Sequence, residues 1–368
     1  MVKILFLIHD LGRGGAEKVL VNLVNNMDPT KFDISVTALF GGGVNEQFLA
    51  PHIHFRAVWP RAIPGNSHLM KLLTPKQLHK LCVKEHYDIE VSYLEGPSAR
   101  VVSGCEDPDT KRVCWIHSMF RDKKDAFGAF RTRDEAVWCY DQFHKIIAVS
   151  QYVQGDFCDY LKYQKHCEVL YNTVESDKIL SLSAEPAPEI GTDGKYHLVA
   201  VGTLKPSKGY ERLLRVIKRL KYDEVPVCLY ILGVGPQEEQ LKEYVRGNNL
   251  EGTVVFLGYQ TNPYRYVMKS DLLVCASFTE GFSTAATEAL IVGTPVCTVE
   301  VSGMREMLGD NEYGIITEND EDALYERIKD LLDNPEKLAY YKEKAIERGK
   351  RFSTEETVRA VEEMLLSL

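Results

Sequence analysis

Short strand-like, largely apolar runs recur through this chain in two passes, each run followed by a loop and then a stretch with helical spacing. In the first pass the runs cover residues 4–8, 34–39, 89–93, 112–116, 146–149 and 169–171. In the second they cover 197–201, 227–232, 254–257, 272–276, 296–299 and 314–316. Largely apolar strands alternating with helical segments argue a parallel sheet covered on both faces, so the fold class is α/β and doubly wound. The chain has 368 residues, too many for one ordinary core, and the repetition predicts two such domains.

Between the passes, residues 176–195 are rich in Pro, Gly and Ser without periodicity, which predicts a linker between domains at 1–175 and 196–350. The final segment reads as helical over 323–332, 335–351 and 354–366, with Ser353 as N-cap of the last helix. The formal net charge of −9 argues against a nucleic-acid partner. The nine cysteines are scattered without a C-x-x-C, which predicts reduced, buried thiols in a cytosolic protein. Apolar residues 4–8 are too few, and Asp10 too close, for a signal peptide, and no run approaches a membrane span.

Two segments combine basic and apolar side chains. Residues 47–84 hold Arg56, Arg61, Lys71, Lys76, Lys80 and Lys84 among Trp59, Met70, Leu72 and Leu81, with no acidic residue. Residues 119–130 interleave Phe120, Phe127 and Phe130 with Arg121, Lys123 and Lys124. Each suits peripheral docking on an anionic membrane, here the inner face of the cell membrane, and each equally suits an amphipathic segment packed on its own sheet.

The stretch Glu280 to Glu288, E-G-F-S-T-A-A-T-E, follows the apolar run 272–276 and opens an Ala-rich helical segment over 285–292. Ser283 and Thr284 are apt N-caps, so a strand end, a small-residue loop and a helix N-terminus form a ready anion site. One carboxylate stands on each side, placed to bind hydroxyl groups; a lone surface Glu in a short helix is the ordinary alternative. Two further glycine loops follow strands, Leu11 to Glu17 and Gly202 to Gly209. The first departs from G-x-G-x-x-G, because Glu17 takes the third glycine's place. His117, in W-I-H-S, lies just past a strand end, where ligands of open sheets bind.

In order along the chain stand G-G-A-E at 14–17, W-I-H at 115–117, V-G-T-L-K-P-S-K-G at 201–209, L-G-x-G-P at 232–236, F-L-G-Y at 256–259 and E-x7-E at 280–288. This set resembles the retaining glycosyltransferases of family 4, which have the GT-B fold, over essentially the whole chain. The resemblance implies an N-terminal acceptor domain and a C-terminal nucleotide-sugar domain. It also implies a closing helix, within 351–368, that packs back on the first domain. It implies that Lys208 contacts the donor diphosphate, Glu288 the ribose hydroxyls and Glu280 the transferred sugar. Backbone N–H groups at Phe282 and Ser283 serve sugar and phosphate, with Gly281 and Thr284 in the same loop and Thr203, Gly258 and Tyr259 in the neighbouring ones. Gly14 and Gly15 approach the diphosphate from the first domain, and His117 lies by sugar and acceptor. The implied donor is a UDP-sugar, the acceptor a glycan or polyprenyl-diphosphate-linked glycan, and no cofactor or metal is expected.

One position departs from the family pattern. Thr203 stands where an Arg is usual, removing one of two cations from the diphosphate. Either another cation compensates, Lys205 being nearest, or donor affinity is weak, or the chain is a catalytically impaired sugar-nucleotide-binding protein. Two D-x-D sequences, Asp107-Pro-Asp109 and Asp320-Glu-Asp322, could ligate a metal but sit where a turn and a helix cap are expected. A glycosidase needs two carboxylates flanking one bond, which Glu280 and Glu288 on a single segment fit poorly.

Overall fold

The computed structural model describes residues 1–12, 15–61, 70–118, 120, 126–163, 167–191, 194–280 and 282–368. Arg13, Gly14, Met119 and Gly281, residues 62–69 and residues 121–125 lie outside this set. The chain divides into two compact units, Met1–Val174 with Thr354–Leu368, and Glu175–Ser353.

The first unit is built on seven parallel strands: β1 Val2–Ile8, β2 Phe32–Phe40, β3 His54–Trp59, β4 Ile89–Ser92, β5 Lys111–Ile116, β6 Lys145–Ala148 and β7 Cys167–Val169. Their order across the sheet is β3-β2-β1-β4-β5-β6-β7. Ile4 to Ile8 are all buried, as expected of a central strand covered on both faces. β1 pairs with β2 on one side and β4 on the other, so the strand order reverses there and leaves a crevice above the strand ends.

The segment Thr354–Leu366 is helical, and its Val358, Val361, Met364 and Leu365 enter the first unit's core. Thr354 Oγ1 donates to the Val174 carbonyl at 2.7 Å, and Glu362 accepts from the Asp28 N–H at 2.7 Å and pairs with Lys31 at 2.8 Å. At about 1.5–3 kcal/mol for each fully buried apolar side chain, this helix contributes a substantial part of the unit's hydrophobic stabilisation.

The second unit carries six parallel strands: β8 Tyr196–Val201, β9 Val227–Leu232, β10 Val254–Gly258, β11 Leu272–Cys275, β12 Val296–Val299 and β13 Ile315–Thr317. Their order is β10-β9-β8-β11-β12-β13, so the reversal falls between β8 and β11.

Three stretches carry structure that the sequence reading did not assign. Residues 54–59, inside the first basic-apolar segment, form edge strand β3, paired with β2. Within the stretch read as linker, Ser176–Ser183 is a helix, anchored through buried Ile179. Of the basic-apolar segments, Arg121, Lys123 and Lys124 lie outside the described residues, and several of the described side chains are taken up by the unit itself. Met70, Phe120 and Phe130 are buried, Trp59 stacks on Phe40 at 5.2 Å, and Lys76 and Lys80 both pair with Glu106 at 2.8 and 3.1 Å. Leu72 remains 75% exposed and Leu81 40%. Among the described residues, no helix is long and apolar enough to cross a membrane.

Candidate active site

The two strands that flank the second unit's reversal end in the two loops singled out from the sequence. β8 runs into Gly202 to Gly209, and β11 into Ala276 to Ser283. Pro206–Lys208 is one turn of 3-10 helix, and Gly209 caps it at φ +67°. A Cβ on Gly209 would lie 1.9 Å from the Ala276 carbonyl oxygen, so only glycine lets the loops approach this closely. The Phe278 N–H donates to the Ser207 carbonyl at 2.8 Å, lacing them together.

This approach brings Lys208 and Glu280, 72 residues apart in sequence, into contact. Lys208 Nζ lies 2.6 and 2.8 Å from the two carboxylate oxygens of Glu280, and Ser277 Oγ donates to the same carboxylate at 2.5 Å. The Glu280 side chain is 10% exposed and that of Lys208 25%, so solvent screens the pair only partly. Lys208, Glu280, Ser277 and Ser283 line one cavity of about 20 Å³, room for about one water. Cys275 lines it too; burial pushes its thiol up to about 12, so it is a neutral packing group rather than a nucleophile.

Ser283 caps the helix Thr284–Ile291, its Oγ accepting from the Ala286 N–H at 3.3 Å. The first-turn N–H groups of this helix have no partner within it, and Ser283 at its start lines the same cavity as Lys208. Glu288 lies one turn in, with the Tyr264 hydroxyl donating to its Oε1 at 3.4 Å. Burial, with the Glu288 carboxylate beside it, pushes the Tyr264 hydroxyl well above its usual range. The Gly258 carbonyl accepts from the Gly233 N–H at 2.8 Å, and a Cβ on Gly233 would lie 2.0 Å from the Gly202 carbonyl oxygen. The loops after β8, β9 and β10 therefore sit edge to edge, with Thr203 and Tyr259 exposed on them.

Two positioning groups escaped the sequence. Arg212 belongs to the amphipathic helix Tyr210–Tyr222, yet it is 3% exposed. Its guanidinium donates to the Ala276 and Ser277 carbonyls and to Asn319, and lies over the Phe278 ring at 4.3 Å. It thus holds the segment that carries Glu280. The second group is Ser277. An Arg or Ser beside an apolar face reads as a solvated residue, and neither carries a spacing signal.

In the first unit, His117 follows β5. Its N–H donates to Glu95 Oε2 at 2.9 Å, and its ring packs on Tyr93 with centroids 4.9 Å apart. Its Nε2 is buried and has no hydrogen-bond partner among the described residues. Burial lowers the imidazole pKa to about 3, so it is neutral near pH 7, while burial raises that of the Glu95 carboxyl. Gly15 opens the helix Gly15–Asn26; Gly14 and Gly281 lie outside the described residues. The D-x-D sequences are a turn and a cap: Asp107 accepts from the Asp109 N–H at 3.0 Å, and Asp320 from the N–H groups of Asp322 and Ala323 at 2.8 and 3.1 Å.

Two doubly wound parallel sheets, with this lysine, these carboxylates and a capped helix start at one switch point, define an α/β protein of the GT-B class. The family model described as Glycosyltransferase Family 4 matches residues 13–178, and that of glycosyl transferases group 1 matches residues 185–348. The chain belongs to glycosyltransferase family 4.

It is 29% identical over 363 residues to the N-acetylgalactosamine-N,N'-diacetylbacillosaminyl-diphospho-undecaprenol 4-alpha-N-acetylgalactosaminyltransferase of Campylobacter jejuni, covering 96% of each chain. The lipopolysaccharide 1,6-galactosyltransferase of Escherichia coli is 28% identical over 230 residues, 61% of this chain and 58% of that one. In fold, the chain is similar to Anabaena HepE crystallised with UDP, with a TM-score of 0.79 at 20% identity and full coverage of both chains. It is also similar to a Rickettsia africae glycosyltransferase, with a TM-score of 0.78 at 16% identity, covering 99% of this chain and 97% of that one.

Proposed function

We propose that the protein is a retaining, metal-independent hexosyltransferase that moves a sugar from a UDP-sugar to a polyprenyl-diphosphate-linked glycan. The observation that carries this reading is the convergence of Lys208, Glu280 and the Ser283-capped helix start on one cavity at the β8/β11 switch point. Similarity over 96% of both chains to a transferase whose name specifies a diphospho-undecaprenol acceptor supports the acceptor class.

In this reading Lys208 and the first-turn N–H groups of Thr284–Ile291 stabilise the charge that develops on the departing diphosphate. Glu280 holds hydroxyls of the transferred sugar, Glu288 those of the ribose, and Phe282 and Ser283 supply main-chain N–H groups. The C1–O bond to the phosphate breaks while the leaving phosphate stays beside the oxocarbenium-like centre; the acceptor oxygen attacks on that same face and gives its proton to the departing phosphate, which retains the anomeric configuration. His117, neutral and with Nε2 unpartnered, hydrogen-bonds a sugar or acceptor hydroxyl without adding charge. Leu72 and Leu81 remain available for contact with the membrane that holds such an acceptor.

Exposed Thr203, where the family pattern has Arg, favours a second reading: donor binding without turnover. The test incubates purified protein with UDP-, GDP- and dTDP-sugars, first for a thermal shift and then with a polyprenyl-diphosphate glycan, the product anomer being read by NMR. UDP-sugar stabilisation with an α-linked product is expected. Stabilisation without transfer to any lipid or glycan supports the binding protein, and the absence of both rejects each reading.

A further inference from the structure

In the first unit, outside every residue discussed as donor-binding or catalytic, three side chains from three elements converge. His79 sits on the helix Pro75–Cys82, Glu90 on β4, and Cys105 in the turn after the helix Pro97–Val102. One ligand atom from each, an imidazole nitrogen, a thiol sulfur and a carboxylate oxygen, lies within 4.8 Å of the other two. His79 Nε2 is 3.0 and 2.9 Å from the two Glu90 oxygens. Glu90 is 2% exposed and Cys105 7%, and the three border a cavity of about 290 Å³.

The surroundings fix the turn that brings the sulfur in. Thr74 and Gln77 form a capping box that sets the start of the His79 helix. A Cβ on Gly104 would lie 2.1 Å from the Pro75 carbonyl oxygen, so glycine is what lets the Cys105 turn reach that helix. Arg112 Nη1 donates to the Cys105 carbonyl at 3.0 Å and holds the turn from the other side. A buried carboxylate on an apolar strand demands a partner, and an ion pair with His79 alone satisfies that demand. It leaves unexplained why a thiol on a separately anchored turn meets the same point.

Neutral imidazole, thiolate and carboxylate together carry two negative charges and mix borderline and soft donors, which is the preference of a zinc-class divalent ion. We propose that His79, Glu90 and Cys105 bind one Zn²⁺-class ion, its fourth position open to water in the adjoining cavity. The ion cross-links a helix, a strand and a turn and acts as a staple of the first unit. Sugar transfer at the β8/β11 site does not route through it.

The test strips the full-length protein with a chelator, removes the chelator, and titrates with Co²⁺ and then Zn²⁺. One Co²⁺ per chain is expected, with a thiolate-to-cobalt charge-transfer band that Zn²⁺ abolishes. Cys105→Ser and His79→Gln remove the band, whereas Cys158→Ser and Cys167→Ser keep it. X-ray absorption on the wild-type zinc form reads the ligands directly, so the proposal stays testable if a variant does not fold. One sulfur near about 2.3 Å and nitrogen or oxygen neighbours near about 2.0–2.1 Å are expected. Absence of saturable binding, a band that survives Cys105→Ser, or a shell with no sulfur or several sulfurs overturns the assignment.

Discussion

Lys208 Nζ bridges both carboxylate oxygens of Glu280, at 2.6 and 2.8 Å, from a different loop 72 residues away. Each group fixes the position of the other in the loop pair. Lys208→Ala and Glu280→Ala are each expected to lower kcat by roughly 10²–10³, the scale for losing one preorganised polar contact in a transition state. Because the two side chains touch, the double variant loses less than the product of the single losses. Steady-state rates of all four proteins check this; wild-type turnover in either single variant refutes the roles.

Glu288 is proposed to act on the ribose, away from the reacting bond. Glu288→Gln is expected to raise the donor KM roughly 10–100-fold with little change in kcat, since hydrogen bonds to charged groups are worth about 1.5–3 kcal/mol. Tyr264→Phe, which removes a 3.4 Å contact to Glu288, shifts KM the same way by a smaller factor. A fall in kcat at constant KM in Glu288→Gln contradicts the assignment.

The segment carrying Glu280 is held from behind by Arg212. Arg212→Leu leaves the Ala276 and Ser277 carbonyls without their buried donors, at about 1–3 kcal/mol for each group. Both the unfolding midpoint and kcat are expected to fall. Gly209→Ala, which drives a Cβ toward the Ala276 carbonyl, is expected to lower stability by at least about 2 kcal/mol through clash and positive-φ strain. An unchanged midpoint in either variant contradicts the loop geometry.

His117 has a direct pH consequence. Its pKa is lowered from 6.5 to about 3 in the folded protein. Between these values the unfolded chain binds the extra proton, so His117 weakens the fold as pH falls through that window and has no such effect above it. The loss by pH 5 is of order 1–2 kcal/mol. Denaturant midpoints at pH 7 and pH 5 should drop further for wild type than for His117→Gln. Glu95, whose pKa burial raises, contributes with the opposite sign in both proteins and largely cancels in the comparison. Equal losses contradict the neutral, buried imidazole.

The parallel strands were legible because residues such as Ile4 to Ile8 and Val227 to Leu232 are continuous apolar runs, the mark of central strands covered on both faces. β3 was not, because an edge strand alternates: His54 and Arg56 are exposed while Phe55 and Ala57 turn inward. The helix Ser176–Ser183 hid in a polar stretch because its buried apolar anchor is Ile179 alone. The loops of the β8/β11 site were visible through their glycines and spacing. The residues that aim them, Arg212 and Ser277, became visible only in three dimensions: Arg212 reaches across the fold to Ala276, Ser277 and Asn319, Ser277 meets the Glu280 carboxylate within its own loop, and no periodicity encodes either. The basic-apolar segments were ambiguous for a related reason: a lysine beside a leucine looks alike whether it meets lipid or Glu106.

The most direct test of the central claim is calorimetric titration of UDP into wild-type protein and Lys208→Ala, without divalent ions and again with Mg²⁺ and Mn²⁺. The expected result is wild-type binding unchanged by either ion, with affinity reduced roughly 10–100-fold in Lys208→Ala, the loss of one charge-assisted contact to phosphate. Equal affinity of the two proteins, or wild-type binding that appears only with a divalent ion, would contradict a diphosphate site built from Lys208 and main-chain amides.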